Sequence, residues 1–513
     1  METENTAIAE ITERIESPLE RRRGLCIAFA LAYLILSYLF VSLVPINVAP
    51  LGFLVWTIAT WSATAVFCLL NGGKLGFHSV CAALFCLAAA LFRFIRGHVT
   101  ADVFPVLLLC TLAYLYFVVT LFDNHSRSFG GGFLLDVIKG IAYPFISFHA
   151  FFVTLFKKSE DKRRSKNIWM AVIGVAAAFI AVLIVAGLLS YDANFAKLLP
   201  KIEIDSVGEI VFKLGFAIPL AALIFGAGVS SLTKRLDKLS SRETVDSVGA
   251  KVKVIPALIV ILPVFALLAV YVLFFISQFA YYVGAFTHNL PEGYSMAEYA
   301  REGFFQLCGV VCINGALLAV LRCFTKTSAG GETLCRVLSF LLSLFTLILI
   351  ATAVSKMLLY IESYDLTRLR LAVTVFLIFL AVAFTLTLLA SVIKGLKAMP
   401  VIIVAGAVFI AVFALVNTNS LISKYNTEAY LGGRHETIDV EYLASDLGYS
   451  SLPELLKLRD NAPDAEIRSK AADGIRSISN RMNEDGNKWY NCSVPYLRAK
   501  KLLGGSGSSV PSI

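Results

Sequence analysis

The stretch MLLYIESYDLTRLR, Met357 to Arg370, joins two long apolar runs, 334–361 and 369–391. A helix of about 20 apolar residues crosses a hydrocarbon layer roughly 30 Å thick, and both runs are long enough to do so. A joint between two such helices needs only a turn. This one carries Tyr360, Glu362, Tyr364, Asp365, Arg368 and Arg370, more polarity than reversing the chain demands. The flanks decide the fold class, and the joint raises the question of function.

Outward from the joint, similar apolar segments recur at 25–44, 51–70, 77–94, 103–122, 168–190, 210–232, 254–286, 303–321 and 401–416. With the two flanking runs they predict an all-α, polytopic transmembrane helical bundle of about eleven spans. A content of 58% hydrophobic and 16% charged residues in 513, with mean hydropathy +0.76, puts the chain among integral membrane proteins. A membrane β-barrel would instead show runs of about ten alternating residues, which are absent. The bundle covers 25–416, after an N-terminal segment 1–24 that ends in three arginines and has no signal-peptide pattern.

Two segments depart from the repeating pattern. The first, 133–156, is apolar but holds Asp136, Lys139, Pro144 and His149. Asp136 and Lys139 share a helix face, so an interfacial helix in the headgroup plane is expected there; the alternative makes 133–156 a span and one earlier segment a re-entrant or surface helix, which leaves the sidedness after 157 unchanged. The second begins at Asn417, where composition turns polar. Apolar residues at helical spacing in 452–458 and 465–478 predict a small soluble helical domain over 417–503, followed by a flexible tail, 504–513, rich in Gly and Ser.

The net charge of +9 follows membrane sidedness and gives no reason to expect a nucleic-acid partner. Lys and Arg favour alternate connectors by roughly three to one, the positive-inside pattern. This predicts a cytoplasmic N-terminus and an extracytoplasmic C-terminal domain, with Arg93 and Arg96 as an exception on the outer side. Nine of the ten cysteines lie in or beside apolar segments and read as small core residues, leaving Cys492 alone in the polar region.

Familiar chemistries lack their patterns. The histidines are scattered without a metal-binding spacing, Gly130–Gly132 has no following Gly-Lys-Ser/Thr, and no Gly-x-Ser-x-Gly elbow occurs. No metal or cofactor is therefore expected. Inside the spans Lys213 follows Glu209 by one turn and can pair with it, while Gln306 and Asn314 are expected on one face as interhelical hydrogen-bond formers.

Polar stretches converge on the predicted outer face. SYDANFAKLLP (190–200) holds Asp192, GYSMAEYAREGFF (293–305) holds Glu298, Tyr299 and Arg301, and VNTNSLISKYN (416–426) holds Asn417. With Tyr360, Glu362, Tyr364, Arg368 and Arg370 of the joint they form a candidate binding cluster. Glu362, six residues before Arg368, can pair with it across the turn. Tyrosines at this depth also serve as interface-belt residues, and arginine forks grip carboxylates or phosphates. Two readings follow: a structural joint docking the external domain, or a site for an anionic lipid headgroup, a cell-wall precursor or a peptide.

YAREGFF (299–305), LLYIESYDLTRLRL (358–371), NTNSLISKYN (417–426), YLASDLG (442–448) and LPELL (452–456) together resemble an uncharacterised bacterial membrane family, a domain of unknown function of the 4173 type, related to the 4153 type. The likeness runs over 190–456. It implies a polytopic helical membrane protein with no assigned activity. One departure is Asp365, where a glycine is expected before Leu-Thr-Arg.

Three functions fit these observations. The first is a non-enzymatic cell-envelope component that senses or scaffolds through its outer face, with the bilayer and other envelope proteins as partners. A secondary transporter would need a midplane polar site, for which Pro219, Gly226 and Asn314 are the candidates. A membrane enzyme on lipid-linked or cell-wall substrates would use Asp192, Glu298 or Glu362 as acid or base.

Overall fold

A backbone in hydrocarbon must satisfy its own N–H and C=O groups, so each apolar run closes into a helix. The computed structural model describes residues 22–43, 49–97, 103–122, 131–156, 206–234, 236, 253, 255–287, 304–326, 329–393, 395–484 and 488–505. Its apolar helices are α1 (Arg23–Leu43), α2 (Pro50–Leu70), α3 (Phe77–Arg96), α4 (Val103–Thr120), α5 (Gly131–Ile146), α6 (Phe148–Phe156), α7 (Ser206–Leu232), α8 (Ala257–Thr287), α9 (Phe304–Ala319), α10 (Ala329–Ser363), α11 (Arg368–Val392) and α12 (Ala398–Leu415). Polar helices follow: α13 (Thr418–Leu431), α14 (Val440–Ser445), α15 (Leu452–Asn461), α16 (Ala465–Glu484) and α17 (Val494–Gly505). Strand structure among the described residues is limited to the parallel pair β1 (Ile255–Pro256) and β2 (Thr325–Lys326).

Ten helical segments among the described residues are long and apolar enough to cross a membrane, α5 with α6 counting as one, and α4 is a shorter apolar helix. The protein is an all-α, multi-pass membrane protein. The expected span at 168–190 lies outside the described residues.

The chain divides into two compact units, 1–90 with 107–125 and 136–237, and 91–106 with 126–135 and 238–513. In the first, α1 packs on α2, α6 and α7. The Tyr33 hydroxyl donates to Thr64 Oγ1 at 3.0 Å, and that oxygen also bonds the Tyr114 hydroxyl at 2.9 Å. Such hydroxyl contacts hold membrane helices together where apolar surface gives no driving force between them. Lys213 pairs with Glu209 at 2.5 Å, as their one-turn spacing predicted.

The segment 133–156, expected as an interfacial helix or as a span, folds as α5 and α6. Asp136 and Lys139 do share a face, but both are buried, and Leu135–Phe156 is apolar enough to cross a membrane. The segment is a packed helix that breaks at Ser147, between α5 and α6, three residues after Pro144, which lies inside α5 and can donate no hydrogen bond. Ser230 Oγ contacts the break, donating to the Tyr143 carbonyl at 2.7 Å and lying 2.8 Å from Ser147 Oγ. Gly226 makes the approach feasible, because a Cβ there would stand 2.9 Å from the Pro144 carbonyl oxygen and 3.0 Å from Ser147 backbone atoms.

In the second unit α10 packs along α8, α9 and α11. A continuous apolar core runs from Val264, Leu342 and Leu349 through Met357, Ile361 and Leu366 to Ile422, Leu443, Leu455 and Leu458 of the polar helices. The C-terminal helices therefore share a core with the spans. Asn314 is fully buried among the spans, accepting from the Tyr271 hydroxyl at 2.6 Å and donating to Thr346 Oγ1 at 2.9 Å. Gln306, expected on the same face, is exposed, because eight residues on a helix advance about 80° beyond two full turns.

Candidate functional site

The turn between α10 and α11 is Tyr364–Thr367. Thr367 has extended backbone and its hydroxyl caps α11, accepting from the Arg370 N–H at 3.4 Å. Capping satisfies one of the orphan donors at a helix start. The remaining polar groups of the turn face the C-terminal helices.

Asn426 of α13 engages Leu366 twice: its Oδ1 accepts the Leu366 N–H at 2.8 Å and its Nδ2 donates to the Leu366 carbonyl at 3.0 Å. Arg368 gives its backbone N–H to the Tyr442 hydroxyl at 3.0 Å and its Nε to Asn419 Oδ1 at 3.0 Å, and its Nη2 reaches the Asp446 carbonyl. Arg368 is thus bonded to three residues of the C-terminal helices and the turn after α14. Burial pushes the Tyr442 phenol above its ordinary range, the Arg368 N–H opposing that shift, so Tyr442 stays neutral around pH 7.

Arg370 turns back onto its own joint. Its guanidinium lies 4.2 Å from the Tyr360 ring centre and 5.6 Å from that of Tyr364, and Nη1 donates to the Asp365 carbonyl. The two tyrosine rings meet edge to face at 5.2 Å. Cation–π stacking of this kind suits the planar guanidinium.

Asp365 carries the third attachment. Its Oδ1 lies 3.0 Å from His435 Nδ1, and its Oδ2 accepts the Asp439 N–H at 3.3 Å. The other ring nitrogen of His435 donates to the Glu362 carbonyl at 3.0 Å. Among the described residues the only positive φ outside glycine is at Lys234, so the joint makes no demand for the glycine expected at 365. Asp365 supplies a carboxylate for His435 in its place.

Asn417 caps α13, its Oδ1 accepting the Ser420 N–H at 3.1 Å. It also touches Ser450 Oγ, which donates at 3.5 Å to the carbonyl of Arg96. The Arg96 guanidinium lies 4.0 and 4.5 Å from the ring centres of Phe92 and Phe413 and donates to the carbonyls of Phe413 at 2.9 Å and Val416 at 3.3 Å. The exceptional arginine therefore closes the end of α12, at the end of the unit that bears the C-terminal helices.

The structure thus gathers Tyr360, Glu362, Tyr364, Arg368 and Arg370 at the joint and puts Asn417 at the neighbouring helix start. Asp192, Glu298, Tyr299 and Arg301 lie outside the described residues. Residues missed in the sequence are Asn419, Asn426, His435, Tyr442 and Arg96. The capping-type pattern of Asn417 and Asn419 before an apolar-periodic run was the one legible signal; a single His or Asn in a polar region carries none. No group of three His, Cys, Asp or Glu arranged to hold a metal occurs among the described residues.

No curated protein and no solved structure matches the chain. A family model, described as Domain of unknown function (DUF4153), matches residues 79–458, most of the apolar part and the C-terminal helices into α15. This supports the 4153 relationship and not the 4173 type, and the chain belongs to the DUF4153 family.

Proposed function

We propose that the protein is a non-enzymatic component of a bacterial cell envelope that scaffolds or senses through its outer face. The N-terminus is cytoplasmic and the C-terminal helices stand outside, over the joint. The observation that carries this reading is how the joint's polar groups are used. Asn426 occupies the backbone of Leu366, Arg368 bonds Asn419 and Asp446, Arg370 stacks on its own tyrosines, and Asp365 bonds His435. Both arginines whose chemistry suits an anionic ligand are engaged within the chain, which favours a docking joint over a ligand cleft. Asn314, the leading transport candidate, has its amide bonded to Tyr271 and Thr346, as helix packing requires.

The test combines Arg368→Ala and Arg370→Ala in the full chain. Faster proteolysis in the 418–505 region, together with altered sensitivity of cells to envelope stress, supports the reading. Unchanged proteolysis and wild-type behaviour in every envelope-stress assay overturn it.

A further inference from the structure

The last described segment, residues 488–505, forms no part of the joint. Gly97, directly after α3, has φ +85°, and a Cβ there would meet Ser493 Oγ at 3.3 Å and Pro495 Cγ at 3.6 Å. Its neighbour Arg96 bonds the carbonyls that end α12. The start of α17 is therefore held against the end of α3, whose last residue bonds the end of α12, and an apolar spanning helix ends where it leaves hydrocarbon for the headgroup layer.

From that anchored start α17 presents an unusual outer face. Pro495, Tyr496 and Ala499 are buried, while Val494, Leu497, Arg498 and Lys501, at helical spacings of three, four and seven, are exposed. Val494 is 44% and Leu497 50% exposed, and Trp489, just before the helix, is 58% exposed. A polar helix on a soluble domain would turn large aliphatics inward; here two of them, with a tryptophan, face outward. The charge is one-sided too: 488–505 contains Lys488, Arg498, Lys500 and Lys501 and no Asp or Glu.

Tryptophan and aliphatic residues beside a cluster of cations form the composition that binds a membrane surface. The apolar side chains enter the acyl boundary, Trp favours the headgroup level, and cations meet phosphates of acidic lipids. We propose that Trp489–Lys501 is a docking face for the headgroup layer of an anionic phospholipid leaflet, engaged through Trp489, Val494 and Leu497 below and Arg498 and Lys501 above. A second protein would leave unexplained why this face begins beside the end of a span. The proposal is independent of the docking role of the joint, whose residues it does not use.

The experiment reconstitutes the full chain in nanodiscs made from lipids with a photoreactive group near the top of the acyl chain. One set is phosphatidylcholine and the other an equimolar mixture with phosphatidylglycerol. Adducts mapped by mass spectrometry are expected at Trp489, Val494 or Leu497, with several-fold higher yield in the anionic discs. Combining Arg498→Gln with Lys501→Gln, both exposed positions, should abolish that headgroup dependence, and raised salt should do so in the unmodified protein. Adducts confined to the spans, yields equal in both lipids, or cross-links joining this face to another protein chain would each overturn the proposal.

Discussion

Asn426 holds both backbone polar groups of Leu366, accepting its N–H at 2.8 Å and donating to its carbonyl at 3.0 Å. The amide does for this residue what a neighbouring strand would do, and Leu366 and Asn426 are both buried. Asn426→Asp keeps an acceptor and loses the donor, and Asn426→Ala loses both. Each buried group left unpaired costs about 1–3 kcal/mol. The alanine variant is therefore expected to loosen the C-terminal helices more than the aspartate variant, measured by limited proteolysis and thermal unfolding in detergent. Equal stability of both variants and the parent would contradict the pairing.

Arg370 works through a flat cation on two rings. Arg370→Lys keeps charge but not the planar stack, so it should behave much closer to Arg370→Ala than to the parent. The loss expected is about 0.5–2 kcal/mol in unfolding free energy. A lysine variant as stable as the parent would show that charge alone is at work.

Asp365 and His435 couple the joint to the loop after α13. Asp365→Gly makes the residue expected from the family resemblance, and His435→Gln keeps polarity without the same reach. A double-mutant cycle with these changes should return a coupling of about 0.5–3 kcal/mol. Strict additivity would mean that the 3.0 Å contact carries no energy.

A Cβ added at Gly226 would stand 2.9 Å from the Pro144 carbonyl oxygen and 3.0 Å from Ser147 backbone atoms. Backbone cannot swing aside as a side chain can, so Gly226→Ala must separate α7 from the break between α5 and α6. A loss of about 1–3 kcal/mol is expected from such overpacking, read as a lower unfolding midpoint, and an unchanged midpoint would count against the close approach. The same substitution at Gly228, where the new Cβ would meet Phe67 ring atoms at 3.3 and 3.4 Å, should cost less.

Sidedness has a chemical test. Cys492 is half-buried in the turn before α17, and the exposed thiols among the described residues, Cys312 and Cys323, belong to α9 and the turn that ends it. A membrane-impermeant maleimide added to intact cells should modify Cys492 if the C-terminal helices stand outside. Labelling of Cys492 only after the membrane is permeabilised would reverse the proposed orientation.

By itself the sequence determined that this is a multi-pass helical membrane protein, and nearly where its helices lie. Runs such as 334–361 and 369–391 are apolar throughout, and in hydrocarbon a backbone must bond itself. It also marked Met357–Arg370 as more polar than a turn requires. What the polarity is for was decided by tertiary structure. The partners of Arg368, Asp365 and Leu366 lie 51 to 78 residues away in the chain, at Asn419, Asn426, His435 and Asp446, and local pattern holds no trace of contacts at that separation. Burial of Asp136 and Lys139 was equally beyond periodicity, because spacing shows that two residues share a face but not what covers it. Helices are specified by hydrogen bonds within one segment, whereas a docked joint depends on which distant segments the bundle brings together.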